Sequence, residues 1–267
     1  MRVRIRYEKT GKLRFISAID LGRVWERALR RADLPIAFSE GFSPHPKVSF
    51  TDALPLGYAS TGEYAELTFA APILIGRTVS VLNDAFPPGM RVSHAVEVAV
   101  GAPKLAKWLY ASCWDMAYGD VPALTAAADA VKAATALPVA RERKGPAVTV
   151  DLRPAIHTII ADGGLVRVIL HHVEPPVRPS EVHQALERCQ PGIGEPALIT
   201  RVAQGSPGAE GLIEALSGDL VPSGPWTDRR SSTPPAHPLA VSASPGRLGP
   251  TDQRQSCDRQ QHHDYQQ

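Results

Sequence analysis

Arg2-Val-Arg-Ile-Arg-Tyr7 alternates charged and apolar side chains, and Ser17-Ala-Ile-Asp20 follows it across a turn at Gly11. The first stretch has the two-residue period of a strand and puts Val3, Ile5 and Tyr7 on one face. In the second, Ser17 and Asp20 stand at the spacing of a helix capping box, in which hydroxyl and carboxylate each take up a free backbone N–H. Leu21, Val24, Trp25, Ala28 and Leu29 then recur with the period of a helix, which Pro35 should end. Arg23, Glu26, Arg27, Arg30 and Arg31 fall on its opposite face.

Working outward, residues 36–38 and 48–50 have strand character, interrupted by a stretch rich in Gly and Pro. Residues 63–69 alternate again, 78–86 form a short helix stopped by Pro87-Pro88-Gly89, and 92–98 form a further strand. The order β-α-β-β-α-β is that of a ferredoxin-like unit. The second half repeats the order without visible residue identity. Strands are expected at 109–116, 147–152, 156–160, 166–171 and 198–202, an Ala-rich helix at 122–136, and another helix capped by Ser180. The expected fold class is therefore α+β, with two tandem ferredoxin-like lobes at residues 1–102 and 103–216. From residue 217 Pro, Ser, Gly, Arg and Gln dominate, too little apolar surface to offset the entropy of ordering, so 217–267 are expected to be a disordered tail.

The chain has 267 residues, 43% hydrophobic and 21% charged, within the range of ordinary globular proteins. No apolar run approaches the roughly 20 residues that span a bilayer, and the charged start does not resemble a signal peptide. Cys113, Cys189 and Cys257 are odd in number and far apart, which suits a reducing compartment, so the expected location is cytoplasmic, with no membrane partner. Charge is uneven. Residues 1–50 hold eleven Lys and Arg against five Asp and Glu, whereas the whole chain holds 29 against 27. A basic first lobe suits an anionic ligand or RNA, and equally suits solvated charges on a strand edge and a helix face.

Most enzyme templates are missing: there is no phosphate-binding Gly-rich loop, no nucleophile elbow and no His-Glu-x-x-His. The cysteines do not stand at metal spacing, and His171-His172 would point to opposite faces of a strand, so no metal or other cofactor is expected. Glu63 and Glu66 fall on different faces and make a poor carboxylate pair. What remains is Ser39-Glu-Gly-Phe-Ser-Pro-His-Pro-Lys47. Gly41 allows a sharp turn, while Pro44 and Pro46 fix φ and keep Ser43 and His45 extended. A stiff loop would then present Ser39, Phe42, Ser43, His45 and Lys47 together, with Arg14 and Arg23 extending the positive surface. Ring, hydroxyl, imidazole and ammonium suit a nucleobase and its phosphate. Alternatively, Phe42 packs into the core and the prolines guard an edge strand. His45 has no titratable partner assignable from sequence, so a catalytic role as general acid or base is the lesser reading, and a non-enzyme is expected.

Lys12-Leu-Arg-Phe-Ile-Ser-Ala-Ile-Asp-Leu21, the 39–47 segment, Leu54-Pro-Leu-Gly57 and Gly62-Glu-Tyr64 together resemble the radical SAM-associated domain-of-unknown-function family, in its stand-alone actinobacterial form. The likeness covers roughly residues 1–205. It implies partnership with a radical SAM enzyme, whose Cys-x-x-x-Cys-x-x-Cys cluster motif this chain lacks, and hence an accessory that binds RNA or presents the enzyme's substrate. Gene neighbourhood in that family adds an RNase E/G-type ribonuclease pathway. The paired layout also looks like that of CRISPR RNA-processing endonucleases, an analogy of fold alone.

Overall fold

The alternation at the N-terminus builds strand β1 (Arg2–Lys9), which lies inside a sheet rather than at its edge, between β4 (Met90–Glu97) and β3 (Ala59–Thr68). The computed structural model describes residues 1–143 and 145–224. After β1, a 3-10 turn at Gly11–Phe15 leads into α1 (Ala18–Arg31), the short β2 (Val48–Phe50), β3, α2 (Ile75–Ala85) and β4. The strands run in the order β4-β1-β3-β2, every neighbour antiparallel.

The second half consists of β5 (Ala111–Ala117), α3 (Leu124–Ala133), the hairpin β6 (Pro138–Arg143) and β7 (Gly145–Asp151), then β8 (Ile156–Asp162), β9 (Leu165–His171), α4 (Pro179–Cys189) and β10 (Leu198–Gly208). Its sheet order, β10-β5-β9-β8, is again antiparallel throughout, and the β6–β7 hairpin forms a separate two-stranded sheet. Parallel pairing of β3 with β10, Ala59 opposite Thr200 and Ser60 opposite Arg201, fuses the two halves into one ten-stranded sheet. Thus the fold is mixed α+β on a large, mostly antiparallel sheet, with four α-helices among the described residues.

Each half buries the apolar stripes of its helices. Trp25 of α1 packs edge-on against Tyr7 (5.2 Å) and Phe86 (4.7 Å), with Val24, Ala28, Leu29 and Leu82 around it. Ser17 caps α1 by accepting from the Asp20 N–H at 3.1 Å; the Asp20 carboxylate takes the Ser17 hydroxyl at 2.7 Å instead of a backbone amide. Leu124, Ala127, Val131, Val182 and Leu186 of α3 and α4 cover β5, β8 and β9. Leu54 joins this second core although it follows β2, so its loop crosses from one half to the other.

Three expectations change, and one of two open readings is set aside. Ser180 does not cap α4: Pro179 opens the helix, where its missing N–H is harmless, and the Glu181 carboxylate accepts from the Arg178 N–H at 2.8 Å. The hairpin β6–β7 joins α3 to β8, where only one strand was expected. Ordered structure also runs past residue 217, because β11 (Gly211–Glu214) pairs with β10 and β12 (Leu220–Pro222) pairs with β11. Leu212 and Val221 of that hairpin pack on Cys113 and Ile169, which is why the chain is held there. The rest of the expected tail, 225–267, lies outside the described residues. Finally, the arginines of β1 are not solvated edge charges. Arg4 is 1% exposed, bonded to Glu66 at 2.9 Å and stacked 4.3 Å from the Trp108 ring centre.

Among the described residues no helix is long and apolar enough to cross a membrane.

Candidate functional site

The 39–47 segment is held at its base and open at its tip. Ala37 donates to the Thr68 carbonyl and Thr68 to the Lys47 carbonyl, which lays both arms of the loop along the end of β3. The Phe38–Pro46 bridge continues the pairing, and Ser39 closes it, donating its N–H to the His45 carbonyl while its Oγ accepts from the His45 N–H at 3.0 Å. Beyond this closure Gly41 adopts φ +117°, a backbone that side-chain-bearing residues rarely take.

Phe42 at the tip is fully exposed (110% of its reference area), which overturns the alternative that it packs into the core. Ser43, His45 and Lys47 are exposed with it, and Ser39 is half-buried. His45 Nδ1 lies 3.5 Å from Glu26 Oε1, which brings the loop against the outer face of α1, and one turn earlier on that helix Arg23 pairs with Asp20 at 3.3 Å. Arg14 sits elsewhere: its guanidinium lies over the Phe15 ring at 4.7 Å, and its carbonyl accepts from the Gly57 N–H at 2.9 Å. Arg14 is thus tied to the Leu54–Gly57 motif rather than to the loop.

Several exposed apolar side chains in these elements escape a sequence reading: Phe15, Ile19, Phe38 and Leu56 are each more than half exposed, and Phe50 is 38% exposed. Ile19 carried a signal, since it stands out of phase with the buried stripe of α1. Phe38 and Phe50 carried none, because one-sided burial of a short strand depends on what packs over it.

Gly62, Glu63 and Tyr64 belong to the joint between the halves. A Cβ on Gly62 would lie 2.6 Å from the Ala203 Cα, so only glycine admits β10 this close. Glu63 takes Arg201 through two hydrogen bonds of 2.8 and 2.6 Å. The Tyr64 hydroxyl bonds to Glu214 and the Gln204 carbonyl, and burial followed by the Glu214 charge holds that phenol well above its usual range. Glu66, on the other face as expected, serves Arg2 and Arg4. Lys9 is buried near this joint with its ammonium on the Ile16 carbonyl; burial lowers its pKa against the opposing pull of Glu63.

The two adjacent histidines engage different partners. His171 stacks edge-on with His157 at 5.1 Å, whereas His172 bonds Ser112 Oγ at 2.6 Å and the Leu109 carbonyl at 2.7 Å. Burial is the largest cause in lowering the pKa of both. Among the described residues no group of three or more His, Cys, Asp or Glu could hold a metal ion.

No curated protein matches this chain. Among solved structures, the first two RRM domains of the yeast poly(U) binding protein Pub1 align at 9% identity over 74% of this chain and 97% of that chain. The TM-score of 0.19 is too low to carry an argument. A family model described as "Uncharacterized protein conserved in bacteria (DUF2344)" matches residues 2–182, and the chain belongs to that family.

Proposed function

We propose that this chain is a non-catalytic, cytoplasmic accessory protein of a radical SAM enzyme, and that it binds unpaired RNA on the surface formed by the 39–47 loop and α1. The observation that carries the reading is Phe42, fully exposed at the tip of a loop whose base is closed by Ser39 and His45. An exposed ring costs apolar hydration unless something covers it, and a nucleobase face is a natural cover when cations stand nearby to meet phosphate. Arg23 and Lys47 supply those cations, and Phe38 offers a further apolar contact. In this reading each half is a ferredoxin-like lobe, the first (1–102) carrying the ligand and the second (103–216) bracing it. The strand order in each half supports the lobe assignment.

The radical SAM partner, and the link to an RNase E/G-type ribonuclease pathway, rest on the resemblance of the sequence motifs. The absence of a Cys-x-x-x-Cys-x-x-Cys motif supports the accessory role.

The test is binding of tRNA and rRNA fragments across a salt series. Affinity should fall steeply with salt, and Arg23→Ala or Lys47→Ala should weaken binding and flatten the slope by about one unit each. No binding at low salt would end the RNA reading. If a radical SAM protein still co-purifies after ribonuclease treatment, the chain acts as a protein adaptor instead.

One observation favours a second reading. Glu26 beside His45 supplies the titratable partner that the sequence lacked, an orientation usable for proton transfer in RNA cleavage. Cleavage of cellular RNA that His45→Ala abolishes would establish it, and intact RNA would rule it out.

A further inference from the structure

A cavity of about 260 Å³ lies between the Leu54–Gly57 loop region and the elements α4 and β10. None of the residues of the 39–47 loop lines it. Leu56, Tyr58 and Ile199 give it apolar walls, and Ser180, His183 and Glu195 supply the polar side chains. Tyr58 is fixed from behind by an edge-on contact with Trp114 at 6.1 Å.

His183 is 7% exposed and engaged at both ring nitrogens, with Tyr118 Oη 3.1 Å from Nδ1 and Glu195 Oε1 3.1 Å from Nε2. A carboxylate only accepts, so His183 donates its Nε2–H to Glu195, while Nδ1 faces the tyrosine hydroxyl. The buried imidazole thereby anchors a carboxylate whose side chain is itself 85% exposed, at a point that solvent and ligand both reach. Among the described residues no Lys or Arg lines the cavity to neutralise that carboxylate. Burial first, then the Glu195 and Glu187 charges, hold the Tyr118 phenol above its ordinary range.

We infer that this cavity binds a short alkyl cation, an ammonium or guanidinium group on an apolar stem. The cation pairs with Glu195 at the mouth, and the stem lies along Leu56, Ile199 and the Tyr58 ring. An anchored carboxylate, an aromatic wall and no competing cation are the features that select a positive group over a neutral or negative one of the same size. The site is independent of RNA binding on the loop surface.

The test uses the full chain and n-butylguanidinium as probe, followed by NMR titration, with butyrate and pentanamide as anionic and neutral counterparts. Saturable binding in roughly the millimolar range is expected for the cation alone, as befits so small a ligand. Glu195→Gln should weaken it about tenfold or more. Ala197→Phe, placed at an exposed lining position, should block it while leaving the melting temperature unchanged. Failure of the cation to saturate, equal binding of butyrate or pentanamide, or full affinity in both variants would overturn the inference.

Discussion

Glu63 and Arg201 meet across the joint with both carboxylate oxygens engaged, and each side chain is about 5% exposed. Arg201 also lies 5.3 Å from the Trp114 ring centre and donates to the Asp52 carbonyl at 3.3 Å, so its charge is compensated on several sides. Removing one partner strands the other charge in a place water does not reach. Glu63→Ala should therefore cost about 3–5 kcal/mol of stability, whereas the Glu63→Met, Arg201→Met pair should cost much less than the two single changes added together. Denaturant midpoints of the four proteins in a double-mutant cycle measure this, and additive costs would show the pair to be uncoupled. Glu63 and Glu66 are legible as opposite-face residues from their spacing alone, because strand parity is local. No local pattern points to Arg201, 138 residues away. The same holds for Arg4, since the Trp108 ring that covers it comes from a distant turn.

Elements with strong internal periodicity were legible, and those defined by their neighbours were not. β1 and α1 announce themselves through period 2 and period 3.6, and the capping serine fixes where α1 begins. The β6 segment Pro138–Arg143 contains a proline and charged residues, and β11 and β12 are only four and three residues long. Such strands exist because a partner strand satisfies their backbone groups, which no local pattern encodes. The end of β9 carries a testable consequence. Burial lowers the pKa of His171 and His172 below the unfolded value of about 6.5. Between the folded and unfolded values the unfolded chain binds more protons, so stability is complete at neutral pH and is lost as pH falls below about 6.5. Chemical denaturation at pH 7, 6 and 5 should show this decline, with a shallower slope in His172→Gln. Stability that held constant or rose on acidification would contradict the assignment.

At the scale of the molecule, the repeat of order in the two halves was readable, but their union was not. Joining them takes only two residue pairs between β3 and β10, 141 positions apart. Side chains replace the missing ladder: Thr61 Oγ1 and Arg6 Nη2 both donate to the Val202 carbonyl, at 3.0 and 2.9 Å, and Ser60 Oγ donates to the Arg201 carbonyl at 3.2 Å. Much of the N-terminal positive charge is engaged within the fold. Arg2, Arg4, Arg6 and Lys9 all hold internal partners, whereas Lys12, Arg23, Arg27, Arg30 and Lys47 are exposed. The four sequence motifs divide accordingly. Residues 62–64 lock the halves, 54–57 bridge them, 12–21 start α1, and 39–47 carry the fully exposed ring of Phe42.

That ring is where the functional account is most exposed to refutation. The affinity of the full chain for a single-stranded RNA fragment should be measured at fixed low salt for the natural protein and for Phe42→Ala. Loss of one stacked base predicts weakening of about 1–3 kcal/mol, with the melting temperature unchanged because Phe42 supports no core. Equal affinity in the two proteins would contradict the claim that this loop receives the ligand.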